Sequence, residues 1–205
     1  MVKIKICGLR QDADIKTVNR YLPDYVGFVF AESRRKVSEE QAAELRKNLD
    51  ERIIPTGVFV NEQQVKIVRL VRKGIIDAVQ LHGDEGEAYI RSLKAEIPEV
   101  PIIKAVRVRN GSQILKTEKL DCDYLLLDTF TKDVYGGSGK QFDKTLIPEL
   151  RKPYFLAGGL SAVNVIDNLK LCSPYAVDIS SAVETDGMKD EGKIKDFIER
   201  VRNYE

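Results

Sequence analysis

The stretch KIKICGLR, residues 3–10, carries an apolar strand pattern that ends at a cysteine and a glycine. Isoleucines alternate with lysines up to Cys7, which predicts a strand with one face toward a core. Gly8 breaks the alternation, and a helical pattern begins near Asp12, a candidate N-cap, and runs to about Tyr21. A strand that leads through a short turn into a helix is the unit that decides this fold.

The same unit repeats along the whole chain. Seven more apolar runs of strand length follow, at residues 25–30, 53–60, 78–81, 101–106, 124–127, 154–157 and 176–179. Segments with helical periodicity follow these runs, at residues 38–49, 61–74, 83–95, 111–119, 144–151, 161–171 and 193–201. The second helix has the clearest start, because Ser38 with Gln41 three residues later forms a capping-box pattern. Strict alternation predicts parallel strands joined by right-handed crossovers.

Eight strands and eight helical segments fit two α/β architectures. An open doubly wound sheet accepts the same alternation but usually has fewer strands. A closed (β/α)8 TIM barrel typically needs about 250 residues and rarely fewer than about 200, so 205 residues favour a compact barrel with short loops. No linker, low-complexity tract or change of composition divides the chain, so we expect one barrel domain over residues 1–205.

The composition favours a small-molecule partner. Lysine plus arginine (33) nearly balance aspartate plus glutamate (32), and a net charge of +1 offers no basic surface for nucleic acid or an acidic membrane. Three cysteines without C-x-x-C spacing indicate a reducing compartment, and a single histidine excludes a multi-histidine metal site. The N-terminus has a strand pattern rather than that of a signal peptide, and no apolar run approaches the roughly 18 residues of a membrane span. We therefore expect a cytoplasmic protein.

Polar, charged and glycine residues follow the strands at the points where they end. In a barrel of this type the functional groups sit in the loops after the carboxyl ends of the strands. Residues two apart share a face of a strand, so Asp128 points the same way as Leu126, and Cys7 the same way as Lys5. If Leu126 faces inward, Asp128 opens into the mouth of the barrel. In chain order the exits hold Cys7, Arg34 with Arg35, Asn61, His82, Arg107 with Arg109, Asp128, Gly158 with Gly159, and Ser180 with Ser181.

Two of these exits indicate a phosphate site. LAGGLSAVNV, residues 156–165, puts two glycines, Gly158 and Gly159, before Ser161, a candidate N-cap whose helix N-terminus would attract an anion. The serine pair at residues 180–181 could add hydroxyl and amide donors. A glycine pair alone is equally consistent with a tight turn. Phosphate sites after the seventh and eighth strands are frequent in this fold, and the two loops together favour the phosphate.

The stretch YGGSGKQFD, residues 135–143, has some features of a phosphate-binding P-loop but departs from that motif. Gln141 follows Lys140 where the P-loop has serine or threonine, and no strand leads directly into the stretch. A nucleoside triphosphate site is therefore disfavoured. The three glycines in this run predict a mobile loop that covers the barrel mouth.

Taken in order, these motifs resemble those of the phosphoribosylanthranilate isomerase family of tryptophan biosynthesis. The matching pieces are KICGLR, GFVF with SRRKVS, GVFVN, VQLHG, LLLDT with YGGSGKQFD, AGGLSAVNV and VDISSAVE, and they extend to residue 184. KICG, QLHG and LDT with GGSG are specific in combination, although none is specific alone. The resemblance implies an eight-stranded barrel enzyme that needs no metal and no cofactor.

The resemblance also implies a substrate and roles for named residues. N-(5-phosphoribosyl)anthranilate would undergo an Amadori rearrangement to 1-(2-carboxyphenylamino)-1-deoxyribulose 5-phosphate. Cys7 corresponds to the general base, Asp128 to the general acid, and Arg35 to the arginine that pairs with the anthranilate carboxylate. The remaining site residues fall into two groups. Those that would hold the phosphate are Gly158, Gly159, Ser180 and Ser181, and those that would lie near the sugar or the aromatic ring are His82 and Asp178.

Two positions depart from the family pattern. Ala182 stands where the family usually has the glycine of SSGVE; alanine keeps the N–H donor but disfavours a positive φ, so a change in phosphate geometry is expected if φ is positive there. Lys144 replaces the tryptophan of the family's FDW, which predicts altered helix packing more than altered chemistry.

The rearrangement needs an acid and a base on different sides of one cavity, which the exits of the first and sixth strands would provide. A free cysteine has a pKa near 8.5, so we expect a cation such as Lys5 to favour the thiolate of Cys7. Taken singly, Cys7 also fits a buried filler and Asp128 a turn residue, while the arginine pair fits a solvated surface and His82 a structural hydrogen bond. Their joint placement at strand exits favours function.

Two other functions stay open from the sequence. The aminoimidazole carboxamide ribotide isomerase of histidine biosynthesis performs the same rearrangement, but typically uses an aspartate pair and a duplicated barrel with two phosphate sites. A non-catalytic phosphosugar-binding module would need the pocket but not Cys7 with Asp128. The surface pattern fits a monomer or a homodimer equally.

Overall fold

Eight parallel strands close into a barrel in the computed structural model, which describes residues 1–129 and 142–204. Each strand pairs with the next along the chain, and the eighth pairs back with the first. The strands are β1 (Lys3–Cys7), β2 (Tyr25–Val29), β3 (Ile54–Phe59), β4 (Ala78–Leu81), β5 (Ile102–Val108), β6 (Tyr124–Thr129), β7 (Tyr154–Leu156) and β8 (Ala176–Ile179). The prediction of a (β/α)8 TIM barrel is confirmed.

Helices connect the strands and cover the outside of the barrel. They are α1 (Asp12–Tyr21), α2 (Glu39–Lys47), α3 (Gln64–Arg72), α4 (Glu87–Glu96), α5 (Gly111–Glu118), α6 (Val165–Leu171) and α7 (Glu191–Arg202). Ser38 is the N-cap of α2 as predicted, because its Oγ accepts the Gln41 N–H at 3.1 Å, but the Gln41 side chain donates to the Arg10 carbonyl instead of completing a capping box. At α1 the N-cap is Gln11, and Asp12 is already the first helical residue. Within the described residues no helix has the length and apolar character to cross a membrane.

The prediction of a helix at residues 144–151 is wrong. Only a short 3-10 turn forms, Lys144–Leu146, and Ile147 is already extended. Pro148 follows it, and proline disfavours the helical conformation of the residue before it. The helical periodicity of this segment is therefore overridden by one residue.

Lys144 lies in this short turn, so its replacement of a family tryptophan does not alter the packing of an α-helix. Its Nζ is 3.7 Å from the centroid of the Phe142 ring, a cation–π contact. The predicted mobile loop lies outside the described residues, apart from Phe142 and Asp143.

The amino-terminal end of the barrel interior is filled with aromatic side chains. Phe155 packs edge-on against Tyr25, with ring centroids 5.3 Å apart, and Leu126 is buried beside them. The hydroxyls of Tyr25 and Tyr175 lie 2.9 Å apart. Because Leu126 faces inward, Asp128 two residues later points toward the opposite, carboxyl-terminal end of the barrel.

A two-stranded hairpin that the sequence analysis did not predict follows β8. It consists of β9 (Glu184–Thr185) and β10 (Met188–Lys189). Asp186 has φ of 51° and Gly187 has φ of 77°, and positive φ at both central residues is what a type I′ turn requires. The pairing places Glu184 opposite Lys189.

Candidate active site

A cavity of about 360 Å³ opens at the carboxyl ends of the strands. This volume lies in the range of about 300–1,000 Å³ that is typical of small-molecule sites. Apolar side chains such as Val29, Val58 and Leu160 line part of its wall. All nine predicted site residues line it together: Cys7, Arg35, His82, Asp128, Gly158, Gly159, Asp178, Ser180 and Ser181. The barrel thus brings residues from six strand exits to one concave surface.

Cys7 ends β1 inside the barrel and is 8% exposed. It pairs with Gly27 in β2. A Cβ at residue 27 would lie 2.6 Å from the Cys7 Sγ, closer than such atoms approach in proteins. Glycine at this position therefore provides the space that the thiol occupies.

A buried ion pair lies beside Cys7 on the same side of β1. Lys5 is completely buried, and its Nζ lies 2.8 Å from Oδ1 of Asp178 in β8. Burial raises the pKa of the Cys7 thiol; the Lys5 ammonium opposes this rise and the Asp178 carboxylate adds to it. Lys5 thus acts in the direction that the sequence predicts, but burial outweighs it.

Asp128 lies at the end of β6, three strands from β1 around the barrel, with one hydrogen bond to the backbone and His82 nearby. Its Oδ1 accepts the Thr129 N–H at 2.7 Å, and its Oδ2 lies 3.4 Å from Nε2 of His82. The His82 Nδ1 is 2.9 Å from the side-chain nitrogen of Gln80, which can only donate. Nδ1 therefore accepts, and a neutral His82 carries its proton on Nε2, toward Asp128.

Gln80 is a cavity residue that the sequence analysis did not select. It is 1% exposed and lines the cavity. The signal was its position two residues before His82, which places both side chains on one face of β4.

Arg35 is held by a carboxylate rather than extended into solvent. Its Nε lies 2.6 Å from Oε1 of Glu184, and its Nη2 lies 2.9 Å from Oε2. Arg34 and Lys189 also bind Glu184, at 3.0 and 2.9 Å. Within the described residues, Nη1 of Arg35 makes no hydrogen bond. Three cations thus surround one carboxylate at the rim of the cavity, which leaves an excess of positive charge.

Glu184 and Lys189 were not predicted from the sequence. The Asp186–Gly187 dipeptide is a hairpin signal that would have set these residues opposite each other. Gly8 completes the arrangement: it has φ of +88°, and a Cβ there would lie 2.4 Å from Cδ of Arg35. The Arg35 side chain therefore packs against bare backbone.

The Gly158–Gly159 loop has the expected backbone but a different connection to its helix. Both glycines have positive φ, 79° and 69°. Ser161 was the predicted N-cap of α6, and this prediction is wrong. The N-cap is Asn164, and the helix begins at Val165. The Asn164 side chain accepts the Ser161 N–H and donates to the Gly159 carbonyl, both at 2.9 Å, which ties the loop before the helix can start.

The loop after β8, with Ser180 and Ser181, lacks one of the hydrogen-bond donors predicted for the phosphate. The Ser180 hydroxyl donates to the Cys7 carbonyl at 2.9 Å, so it links β8 to β1 and is not available as the predicted hydroxyl donor. Ala182 lies in a 3-10 turn, Ser181–Val183, and is not among the described residues with positive φ. The alanine therefore causes no backbone strain at this position.

Comparison with known proteins gives consistent matches over the full chain. The sequence model described as N-(5'-phosphoribosyl)anthranilate (PRA) isomerase matches residues 4–200. A protein of that name from Lachnoclostridium phytofermentans is 48% identical and covers 96% of each chain. The crystal structure of phosphoribosyl anthranilate isomerase from Thermotoga maritima has a TM-score of 0.86 at 34% identity, covering 98% of this chain and 99% of that one.

Two further solved structures are also similar to this chain. One is the same kind of enzyme in complex with reduced 1-(o-carboxyphenylamino)-1-deoxyribulose 5-phosphate, with a TM-score of 0.80 at 32% identity over 98% and 99% of the chains. The other contains monomers generated from the dimeric Thermotoga maritima enzyme, with a TM-score of 0.80 at 32% identity over 99% and 100%.

Proposed function

The chain belongs to the N-(5'-phosphoribosyl)anthranilate isomerase family, and on that premise we propose that Cys7 and Asp128 carry out an Amadori rearrangement in the cavity described above. Family membership makes it an isomerase of tryptophan biosynthesis. The substrate is N-(5'-phosphoribosyl)anthranilate and the product 1-(2-carboxyphenylamino)-1-deoxyribulose 5-phosphate. The observation that carries the proposed mechanism is that a thiol from β1 and a carboxyl from β6 line one ligand-sized cavity.

The reaction requires two proton transfers at different atoms of the sugar. Asp128 donates a proton to the ribose ring oxygen, the C1′–O bond breaks, and a Schiff base forms on the anthranilate nitrogen. The Cys7 thiolate then removes the proton on C2′, and the electron pair of that bond gives an enolamine. Tautomerisation of the enolamine to the ketone completes the rearrangement. One acid and one base on different strands therefore suffice.

The surroundings of Asp128 suit a group that delivers a proton to a fixed point. Oδ1 is occupied by a backbone N–H, so Oδ2, beside His82, is the oxygen that would carry the proton. Gln80 orients the His82 ring. In this proposal His82 and Asp178 contact the sugar or the aromatic ring.

The two ends of the substrate are anions, and the cavity offers cations and amides for them. Arg35 would bind the anthranilate carboxylate with Nη1, because Glu184 occupies Nε and Nη2. The phosphate would lie against the loops at Gly158, Gly159, Ser180 and Ser181, where backbone N–H groups rather than the Ser180 hydroxyl would donate. A related enzyme of this size holds a reduced form of the product.

The test is turnover of N-(5'-phosphoribosyl)anthranilate by the purified protein, followed by fluorescence as the substrate disappears. Cys7→Ala and Asp128→Asn should each lower kcat by about 10²–10⁴-fold, the usual contribution of general acid–base catalysis. Cys172→Ala is the matched control, because that thiol is half-buried and does not line the cavity. Near-normal turnover by Cys7→Ala would remove the thiol from the mechanism, and binding without turnover by the wild type would favour a binding module.

We also propose that the chain is one domain that works in the cytoplasm as a monomer or homodimer. The homologous Thermotoga maritima enzyme is described as dimeric. Light scattering coupled to size-exclusion chromatography distinguishes the two assemblies.

A further inference from the structure

Lys5 is a completely buried lysine inside the barrel, in a position that the reaction scheme above does not use. It pairs with Asp178 across the seam where β8 closes onto β1, and the two residues are also partners in the strand register. Both side chains are largely removed from water, at 0% and 10% exposure. Such a pair persists only when each charge has a partner, because isolation of either one would be costly.

The Lys5 ammonium interacts with two acidic groups, Asp178 and Cys7. Burial alone would lower the pKa of Lys5, but Asp178 and Cys7 outweigh burial and raise it. Burial raises the pKa of Asp178, and Lys5 opposes that rise. Cys7 and Asp178 are thus two acidic groups that compete for a single buried cation.

The competition between Cys7 and Asp178 for Lys5 is not replaced by the other charged groups near Cys7. Lys189 is close enough to favour the thiolate, but its Nζ is already bound to Glu184 at 2.9 Å. From β2 the neighbour of Cys7 is Gly27, which carries no charge. The remaining titratable groups that line the cavity are Glu32, Arg35, His82 and Asp128.

We propose that Asp178 is a positioning residue of the reaction: by holding the Lys5 ammonium at 2.8 Å it limits how far that charge stabilises the Cys7 thiolate. The inference rests on the proposed function of Cys7 as the base, but it concerns an equilibrium of the free protein. A thiolate of lower pKa is a weaker base that removes a proton less readily, whereas a thiolate of higher pKa is a stronger base that is less often ionised. Lys5 increases the thiolate population, and Asp178 preserves the basicity of that thiolate.

The two partners of Lys5 should therefore shift the Cys7 titration in opposite directions. The probe is thiolate absorbance near 240 nm as a function of pH, with the matched Cys7→Ser protein subtracted so that Cys122, Cys172 and the tyrosines cancel. Asp178→Asn should lower the pKa of Cys7 by at least about one unit, and Lys5→Met should raise it by at least about one unit, the usual effect of one nearby charge. The apparent pKa of the base in the pH profile of kcat/KM should move the same way.

A purely structural role for the pair would give a different pattern. If either change merely loosened the barrel, water would reach the thiol and both variants would lower the pKa of Cys7; this result, or no shift in either variant, would overturn the proposal. Should Lys5→Met fail to fold, Lys5→Gln takes its place: only a rise in the pKa of Cys7 in the lysine variant together with a fall in Asp178→Asn supports the proposal, and any other pair of shifts refutes it. Because the titration needs no substrate, its outcome is independent of whether Cys7→Ala abolishes turnover.

Discussion

Glu184→Gln should destabilise the protein and weaken substrate binding together. Its side chain is 4% exposed and holds three cations at once: Arg34, Arg35 and Lys189. Glutamine keeps the shape and one acceptor oxygen, but it removes the charge that orients Arg35. We therefore expect KM for the anthranilate substrate to rise more than kcat falls.

The size of the stability loss follows from the electrostatics of this carboxyl. Burial alone would raise the pKa of Glu184, but the hydrogen bonds and charges of Arg35 and Lys189 outweigh it and lower the pKa from 4.5 to about 2. Each pKa unit corresponds to about 1.4 kcal/mol, so the ionised Glu184 stabilises the fold by about 3 kcal/mol at neutral pH. Loss of one partner from a buried ion pair typically costs about 3–5 kcal/mol, which agrees.

The same shift fixes the pH dependence of the loss. Because the pKa of Glu184 is lower in the folded than in the unfolded chain, its contribution is complete above about pH 4.5 and disappears as the pH falls toward 2. The stability difference between wild type and Glu184→Gln should therefore shrink from about 3 kcal/mol at pH 7 to about 1 kcal/mol at pH 3.

Urea denaturation at both pH values measures this difference directly. Glu44→Gln is the matched control, because Glu44 pairs with Lys47 at 2.6 Å but is 68% exposed. An exposed pair of this kind contributes within about 1 kcal/mol at either pH. A loss for Glu184→Gln that equals the control, or that stays constant between pH 7 and pH 3, would refute the electrostatic argument.

Two further variants test the geometry of the cavity. Gly27→Ala would place a methyl group 2.6 Å from the Cys7 Sγ, and displacement of the thiol should lower kcat about a hundredfold. The control Gly86→Ala, with nothing within 4 Å of the new Cβ, should retain activity. Equal kcat values for the two variants would contradict the packing argument. Asn164→Ala would release both hydrogen bonds that tie the loop at residues 158–161. It should raise the inhibition constant of inorganic phosphate and KM with little change in kcat, and an unchanged phosphate constant would place the phosphate elsewhere.

The strands were predictable because each is a short apolar run followed by a clear break. The run at residues 3–6 ends at Cys7 and Gly8, and the structure ends β1 at Cys7. The helices were less predictable wherever one residue overrides periodicity. Pro148 ends the segment after Lys144 within one turn, and Asn164 delays the start of α6. In both cases local hydrogen bonding or sterics, not the apolar pattern, sets the boundary.

Position at the end of a strand predicted cavity residues such as Cys7 and Asp128, but it also singled out Asn61, Arg107 and Arg109, which are not among the described residues that line the cavity. The partners of the cavity residues were not predictable. Nothing in the local sequence connects Arg35 with Glu184, which is 149 positions away. The same holds for the Ser180 hydroxyl, which donates to the carbonyl of Cys7. These contacts depend on how loops from different strands meet, and this is set by the closed barrel as a whole.

The Lys5–Asp178 pair shows how closure of the barrel and chemistry depend on each other. The two residues are 173 positions apart and become neighbours only when β8 pairs with β1 in the observed register. A slip of one residue would set Lys5 against Val177 or Ile179 and turn every side chain of the strand to the other face. A buried ammonium would then lose its carboxylate, at a cost of several kcal/mol. The charges that tune Cys7 therefore also penalise incorrect closure of the barrel, so the same ion pair that supports the proposed base favours the register that creates the cavity.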